Sequence, residues 1–447
     1  MFPGNRAVAK FVGETEWDNL PPEVQQQARL CALDLLGAII AGSSTRVARI
    51  VAEQALEHWP GEAASILLFG AKASLPGAVL ANAFTANALD IDDGYREIKG
   101  HPGAVVFPAV LAAAESRGVS GREFLTALVV AYEVAIRAGL AWHHYHAEYH
   151  GSGSWGSLGA AAGVARILGL REKETISALG TAEYHAPIMP MMRCIDYPAM
   201  TKDGIGWGAM VGTVSALLAA TGFTGIPSLF GFREYSSLVG SLGSEYKILN
   251  LYFKPYACCR WAQPAVSAAL KLRKDHDIDP DHIEKIVVRT FRAATKLWLK
   301  APRNTEEAQY NMAYPIAAAL VEGAVGPEQI LDENLGKGAI LELAAKVSVV
   351  EEQSLEREFP EKCLCELDLT LKDGCTLSSG TTGATGDPDN PLGIDGMEQK
   401  FKQLAATVLS AARVEEILEL VWHLDKLDNL ELLIEFLSST EKGKGGI

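Results

Sequence analysis

From about residue 20 to about residue 250 the apolar positions of this chain recur at helical spacing; after Lys254-Pro255 that spacing gives way to alternation. Pro21-Pro22-Glu23 opens an amphipathic segment that runs through Leu30, Leu33, Leu36 and Ile40 and stops at Gly42, a proline start and a glycine stop. The same period predicts helices at about 45–58, 75–89, 104–117, 121–140, 156–169, 173–185 and 205–221. Several are rich in alanine and glycine, which let helices approach closely, so this half reads as a helical bundle. Beyond the junction, Ile283–Arg289 and Cys363–Leu371 read as strands, the second entering a hairpin at Lys372-Asp373-Gly374. Helices at about 305–321 and 337–346 lie between them. A stretch rich in Gly, Thr, Pro and Asp from Ser378 to Gly393 breaks regular structure, and helical periodicity resumes from about Met397 to Ser439. The predicted architecture is mostly α with an α+β second domain: a discontinuous helical bundle, 1–255 completed by 396–447, and a smaller α/β lid, 256–395.

Composition narrows the partners. The 447 residues are 48% hydrophobic, and 40 basic against 55 acidic side chains leave a formal charge of −15. Nucleic acid and anionic membrane surfaces are therefore excluded as favoured partners, while an acidic substrate needs cations that converge locally. The stretch Phe124 to Trp142 contains Glu133 and Arg137, and Met210 to Ile226 is broken by glycines, so no membrane span is predicted. Arg6, Lys10, Glu14 and Glu16 interrupt the amino-terminal segment, unlike a signal peptide. Seven cysteines, with Cys258 and Cys259 adjacent, make a poor disulfide framework; a reducing cytoplasm is the expected location.

Candidate chemistry concentrates in a few polar runs. Asp90-Ile91-Asp92-Asp93-Gly94-Tyr95-Arg96-Glu97-Ile98-Lys99-Gly100-His101-Pro102-Gly103 places carboxylates, cations and an imidazole between two apolar helices, where rigid flanks can hold a working loop. The second run, Trp142 to Gly156, contains four histidines and a G-x-G-x-x-G at Gly151, Gly153 and Gly156. A helix rather than a strand precedes it, so a dinucleotide fold is not predicted; a glycine turn at a helix amino terminus still suits an anion, with His150 or Ser152 alongside. His146 and His150 are four apart, but Glu148 falls on another face, so no metal site is predicted. Lys202, and Lys254 with Arg260 at the domain junction, are candidates for carboxylate recognition, each set against the simpler reading of a snorkelling side chain. Tyr314 opens an apolar helix and Gly386-Asp387-Pro388 reads as turn chemistry.

Taken in order, Leu33–Gly37, Asp90–Pro108, His150–Leu170, Met200–Gly225, Lys254–Val266, Gln309–Ala319 and Gly386–Phe401 resemble the MmgE/PrpD family, which includes 2-methylcitrate dehydratase, cis-aconitate decarboxylase and iminodisuccinate epimerase. The resemblance spans nearly the whole chain. It implies a helical domain with an α/β lid, a homodimer, and a site between the domains that uses neither metal nor cofactor. It also implies functional roles for Asp90, His101, His150, Lys202, Lys254 and Tyr314. Three positions depart from the pattern: Gly94 stands where the family's aconitate decarboxylases carry threonine, Cys259 where they carry histidine, and Gln263 where other members carry histidine. These departures weigh against aconitate decarboxylation.

The expectation is thus a cofactor-independent lyase that moves a proton next to a carboxylate of a small di- or tricarboxylate, foremost a 2-methylcitrate dehydratase-like hydro-lyase. The alternatives are a decarboxylase, an epimerase, or a non-catalytic carboxylate-binding relative. His101 and His150 would carry protons, Asp90 would orient a histidine or act as base, and Tyr314 would donate to a leaving hydroxyl. Lys202, Lys254, Ser152, Gly153, Cys259 and Arg260 would bind substrate.

Overall fold

The computed structural model describes residues 3–146 and 148–438. Its first half is built from helices α1 (Pro3–Glu14), α2 (Pro22–Gly42), α3 (Arg46–His58), α4 (Leu75–Ala86), α5 (Pro102–Arg117), α6 (Gly121–Tyr145), α7 (Ser152–Ile167), α8 (Glu172–His185), α9 (Met191–Asp196) and α10 (Ile205–Ala220). Local chemistry sets their ends. Thr45, Ser74 and Ser120 accept from the first-turn amides of α3, α4 and α6, and α5 stops where Gly118 turns left-handed at φ 60°. A small hairpin of β1 (Pro60–Ile66) and β2 (Ala71–Ala73), absent from the helical period, caps α4 and α5.

Glycine and alanine fix how closely the central helices meet. A Cβ on Gly159 would lie 2.5 Å from Ala135 Cβ, and one on Gly212 2.3 Å from the Ser157 carbonyl, so α7 touches α6 and α10 nearly backbone to backbone. Helix α6 is long and apolar enough to cross a membrane, yet it is buried inside the bundle. Its charges are paired: Arg137 meets Glu133, and Arg137 donates to the carbonyls of Leu238 and Glu245, both at 2.9 Å.

The second half holds a mixed sheet of β3 (Ile283–Thr290), β4 (Val347–Glu351), β5 (Leu364–Leu371), β6 (Thr376–Ser378) and β7 (Thr382–Gly383). The order is β4-β3-β5-β6, with β7 also on β5. Strand β3 runs parallel to β4 and antiparallel to β5, and the β5–β6 hairpin turns at Lys372-Asp373-Gly374. The helix Gln263–His276 packs on β5. Two elements differ from the periodicity. The parallel edge strand β4 follows the helix Gly338–Ala344 directly, and the expected helix at 305–321 is two, Thr305–Gln309 and Ala313–Glu322. The break arises because Trp298 pairs with the chain there: its amide donates to the Tyr310 carbonyl at 3.0 Å and its carbonyl accepts from Met312 at 2.8 Å.

After the sheet, Gly393–Ala405 packs on α2, and its Met397 and Phe401 join the core that contains Leu33 and Leu36. Lys400 on that helix forms a buried pair with Asp34 of α2 and donates to the Ile91 carbonyl at 2.7 Å. One long-range contact thereby fixes the backbone of the Asp90–Asp93 run. The lid's own core includes Leu89, Ile91, Met191 and Ile195 from the helical half, so the junction is packed rather than hinged open.

Candidate active site

The junction encloses a narrow cavity of about 40 Å³. His101, Asp90 and Lys99 reach it from the turn before α5, Tyr149 and Asp203 from the segments flanking α7 and α10, Tyr252 from the end of the helical half, and Cys259, Arg260 and Tyr310 from the lid side. Five non-glycine residues among those described have a positive φ, and three belong to this region: Asp90 at 53°, Lys99 at 49° and Lys202 at 40°. Left-handed backbone at such residues costs roughly 1–3 kcal/mol each and persists where the surroundings over-determine it.

Asp90 is the electrostatic centre. Its Oδ1 lies 3.1 Å from Lys254 Nζ, 3.5 Å from His101 Nε2 and 4.0 Å from Lys202 Nζ. Burial alone would raise this carboxyl, but Lys254, Lys202 and His101 outweigh it and hold it below its ordinary value. Burial likewise opposes the Lys254 ammonium, and Asp90 and Asp92 outweigh it, so Lys254 is held above its ordinary value. The carboxylate that Lys254 holds here is therefore the protein's own. Lys202 also stands behind Asp90, donating to the Asn87 carbonyl and, at 2.7 Å, to Gln309 Oε1.

His101 is fixed in one tautomer. Its Nδ1 donates to the Asp93 carbonyl at 2.7 Å, which leaves Nε2 turned toward Asp90 and, at 3.9 Å, toward Asp203 Oδ2. Asp203 accepts from Tyr310 Oη at 3.2 Å and from Ser152 Oγ at 3.0 Å, and burial raises its carboxyl despite the opposing pull of His101. Burial, with Asp203 beside it, also pushes the Tyr310 phenol up, so it keeps its proton. One wall thus presents the His101 Nε2 and, beside it, the buried Tyr310 hydroxyl bonded to Asp203.

The glycine turn before α7 corrects one expectation. The Gly151 amide donates to the Met189 carbonyl, the Gly153 amide to the Asp203 carbonyl, both at 3.0 Å, and the Ser154 amide to the Gly151 carbonyl at 3.1 Å. These donors are spent on the protein, so the turn is not an open anion nest. Its glycines serve close approach: a Cβ on Gly153 would sit 2.2 Å from the Gly204 carbonyl. Ser152, fully buried, accepts from the His101 amide at 2.9 Å and donates to Asp203, so it wires the site rather than facing the cavity.

Other expected residues fall in different places. Tyr314 lies in the lid core and donates to the Gln329 carbonyl at 2.9 Å; burial pushes its phenol up to about 12, and it does not line the cavity. Tyr310, at the helix break beside Trp298, does line it. His150 is buried against His146 and Trp142, at ring-centroid distances of 5.3 and 6.5 Å. It is not a wall residue, and neither ring nitrogen makes a well-aligned hydrogen bond among the described residues. Burial lowers its imidazole. Cys259 faces the cavity as a thiol that burial holds protonated, and Arg260 pairs with Asp387. Gln263 is structural, donating to the carbonyls of Tyr256 and Cys258 at 2.9 and 2.8 Å. Gly94 is dictated by Tyr252: a Cβ there would lie 2.2 Å from the phenol ring.

Asp203, Tyr310, Tyr252 and Arg96 were not singled out from the sequence. For Asp203 a signal existed in its place next to Lys202; for Tyr310 none did, because the helix break depends on Trp298. As a donor set for a metal, Asp90, Asp92 and His101 bring ligand atoms within 4.8 Å of one another. The Lys254 ammonium already stands against Asp90, so a divalent ion there would face a fixed positive charge.

This fold, a helical domain closed by an α/β lid over a buried carboxylate–lysine–histidine cluster, matches one protein class at both ends. The MmgE/PrpD N-terminal domain matches residues 6–234 and the MmgE/PrpD C-terminal domain residues 256–425. The chain belongs to the MmgE/PrpD family. It is 26% identical to the cis-aconitate decarboxylase-like protein oryM of Aspergillus oryzae, over 96% of each chain. It is also 26% identical to the cis-aconitate decarboxylase of Homo sapiens, over 94% of this chain and 91% of the relative. To the mitochondrial 2-methylcitrate dehydratase of Yarrowia lipolytica it is 26% identical over 49% of this chain and 46% of the relative.

Proposed function

We propose that this protein is a lyase for a small di- or tricarboxylate, working by proton transfer at the carbon next to a carboxylate and needing no metal or cofactor. In the hydro-lyase form, His101 Nε2 removes that proton, the electron pair forms the C=C bond, and the C–O bond to the β-hydroxyl breaks. The hydroxyl leaves as water with a proton from Tyr310, and the proton taken up by His101 returns through Asp203, 3.9 Å away, to restore the phenol. The observation that carries this reading is the shared wall: His101 and the Tyr310–Asp203 pair supply a base and an acid to one cavity. Elimination needs both.

A second reading, decarboxylation, is favoured by the full-length similarity to proteins named cis-aconitate decarboxylase. There the C–C bond to carbon dioxide breaks, and one of the same donors protonates the carbanion. NMR in deuterated water with citrate, 2-methylcitrate, cis-aconitate and iminodisuccinate separates the readings. Alkene formation with loss of water supports the first, labelled bicarbonate from carboxyl-labelled substrate the second. Absence of both turnover and solvent deuterium incorporation with all four substrates would retire the lyase reading. Chelated protein should keep full activity; activity restored only by added metal ends the metal-free part.

The assembly proposed with this reading is a homodimer. Ile188, Tyr197 and Trp207, exposed at 61%, 76% and 49%, line one surface hollow and suit burial against a second copy. Light scattering that gives one chain's mass at micromolar concentration would count against it.

A further inference from the structure

Arg96 and Arg260 meet at the domain junction around a single buried carboxylate. Arg96 belongs to the turn after Asp93, whereas Arg260 stands just before the lid helix Gln263–His276. Arg96 Nη2 lies 2.8 Å from Asp387 Oδ2, and Arg260 Nη2 lies 2.5 and 2.6 Å from the two Asp387 oxygens. The Arg260 guanidinium lies over the Tyr252 ring, 4.6 Å from its centroid. Arg96 also donates to the Glu361 carbonyl at 3.3 Å and pairs with Asp389.

Charge and exposure separate the two aspartates. The Asp387 side chain is 6% exposed and serves both arginines; that of Asp389 is 59% exposed and serves Arg96 alone. Two guanidiniums against one buried carboxylate leave an excess positive charge, which among the described residues the exposed Asp389 offsets. An exposed ion pair is worth roughly 0–1 kcal/mol, so Asp389 is easily displaced, while removing Asp387 would strand the buried Arg260 and leave the part-exposed Arg96 without its inner partner. Both arginines line the His101 cavity, and each keeps a buried Nε without an aligned partner among the described residues. Guanidiniums match carboxylates with paired donors, and these two have donors to spare.

We propose that Arg96 and Arg260 form a second carboxylate subsite at the far end of the His101 cavity, occupied by a further carboxylate of the substrate, which takes the place of Asp389 on Arg96. This rests on the reading of the cavity as a polycarboxylate site. The cavity's 40 Å³ holds only a few waters, so a polycarboxylate needs its walls to move apart, and Arg96 released from Asp389 can move with them. The exchange of one carboxylate for another leaves the charge unchanged. Arg96, which bridges the helical half to the lid, then couples lid closure to a substrate of the right length.

Calorimetric binding of tricarballylate and succinate to the full chain tests it. Wild-type protein should bind tricarballylate about tenfold or more tightly than succinate, because only the longer probe engages both ends. Arg96→Met should bring the two within about threefold by weakening tricarballylate alone, and Asp389→Asn, which frees Arg96, should tighten tricarballylate a few-fold. If both variants leave tricarballylate affinity within about twofold of wild type, or Arg96→Met weakens the two probes equally, the subsite is refuted while the cavity reading stands. If wild type binds neither probe, the cavity reading and the subsite fall together. Should Arg96→Met not fold, the Asp389→Asn result decides alone.

Discussion

Two glycine-flanked turns, each carrying a histidine and each leading into an apolar helix, look alike in the sequence and differ in the structure. In the turn before α5, His101 is held at its backbone amide by Ser152 and at Nδ1 by the Asp93 carbonyl, and its Nε2 faces the cavity between two carboxylates. In the turn before α7, the amides are consumed by the carbonyls of Met189, Asp203 and Gly151, and His150 is buried without a well-aligned ring partner among the described residues. The first turn is built outward from a network, the second inward against a neighbouring backbone. The difference teaches that glycine at a helix amino terminus has two uses, presenting donors or admitting another chain segment. Only the neighbour decides which.

The largest expected effect falls on the first turn. His101→Asn should cut turnover about 10² to 10⁴-fold, the range for a general base or acid, with melting temperature nearly unchanged. Near-wild-type turnover would erase the contrast between the turns. Asp90→Asn comes next, because it strands the buried Lys254 ammonium and should cost roughly 3–5 kcal/mol at pH 7. Asp90 is held below its ordinary carboxyl value in the folded state. Its contribution is therefore present above the unfolded value of about 3.9 and lost as pH falls through the lower folded one. Urea unfolding at pH 7 and below pH 3 should show the wild-type advantage disappearing at the acid end; an advantage independent of pH would mean Asp90 acts by packing.

The second turn gives the smaller effects. Gly153→Ala places a methyl group 2.2 Å from the Gly204 carbonyl and should lose about 1–3 kcal/mol in the same urea assay, with no selective loss of substrate affinity. A stable variant whose KM alone rises would restore the anion-nest reading. His150→Asn should lower kcat about tenfold with little loss of stability, since the ring makes no well-aligned hydrogen bond among the described residues. Full kcat would reduce the second turn to packing.

The fold class was legible because periodicity reports on a chain's own neighbours. Helical spacing ends near Lys254, alternation marks β3 and β5, and the Lys372-Asp373-Gly374 turn closes the β5–β6 hairpin. The β1–β2 hairpin and strand β4 left weaker signals, being short and, for β4, paired with a strand some sixty residues earlier. Of the site, the Asp90–His101 run and Lys254 were legible as types of residue: buried carboxylates, lysine and histidine are costly to keep without purpose.

Which of those groups meet was not legible. The sequence by itself determined that an acidic run sits between two apolar helices, that cations stand near the junction, and that a helical chain changes to an alternating one. Tertiary structure alone decided that Lys254 pairs with Asp90, that Lys400 from the far end of the chain grips Asp34 and the Ile91 carbonyl, and that Tyr310 rather than Tyr314 reaches the cavity. The physical reason is range. Periodicity and caps are settled within a few residues, whereas a buried charge finds its partner by what the packed cores bring within 4 Å of it, and that pairing leaves no mark on local spacing.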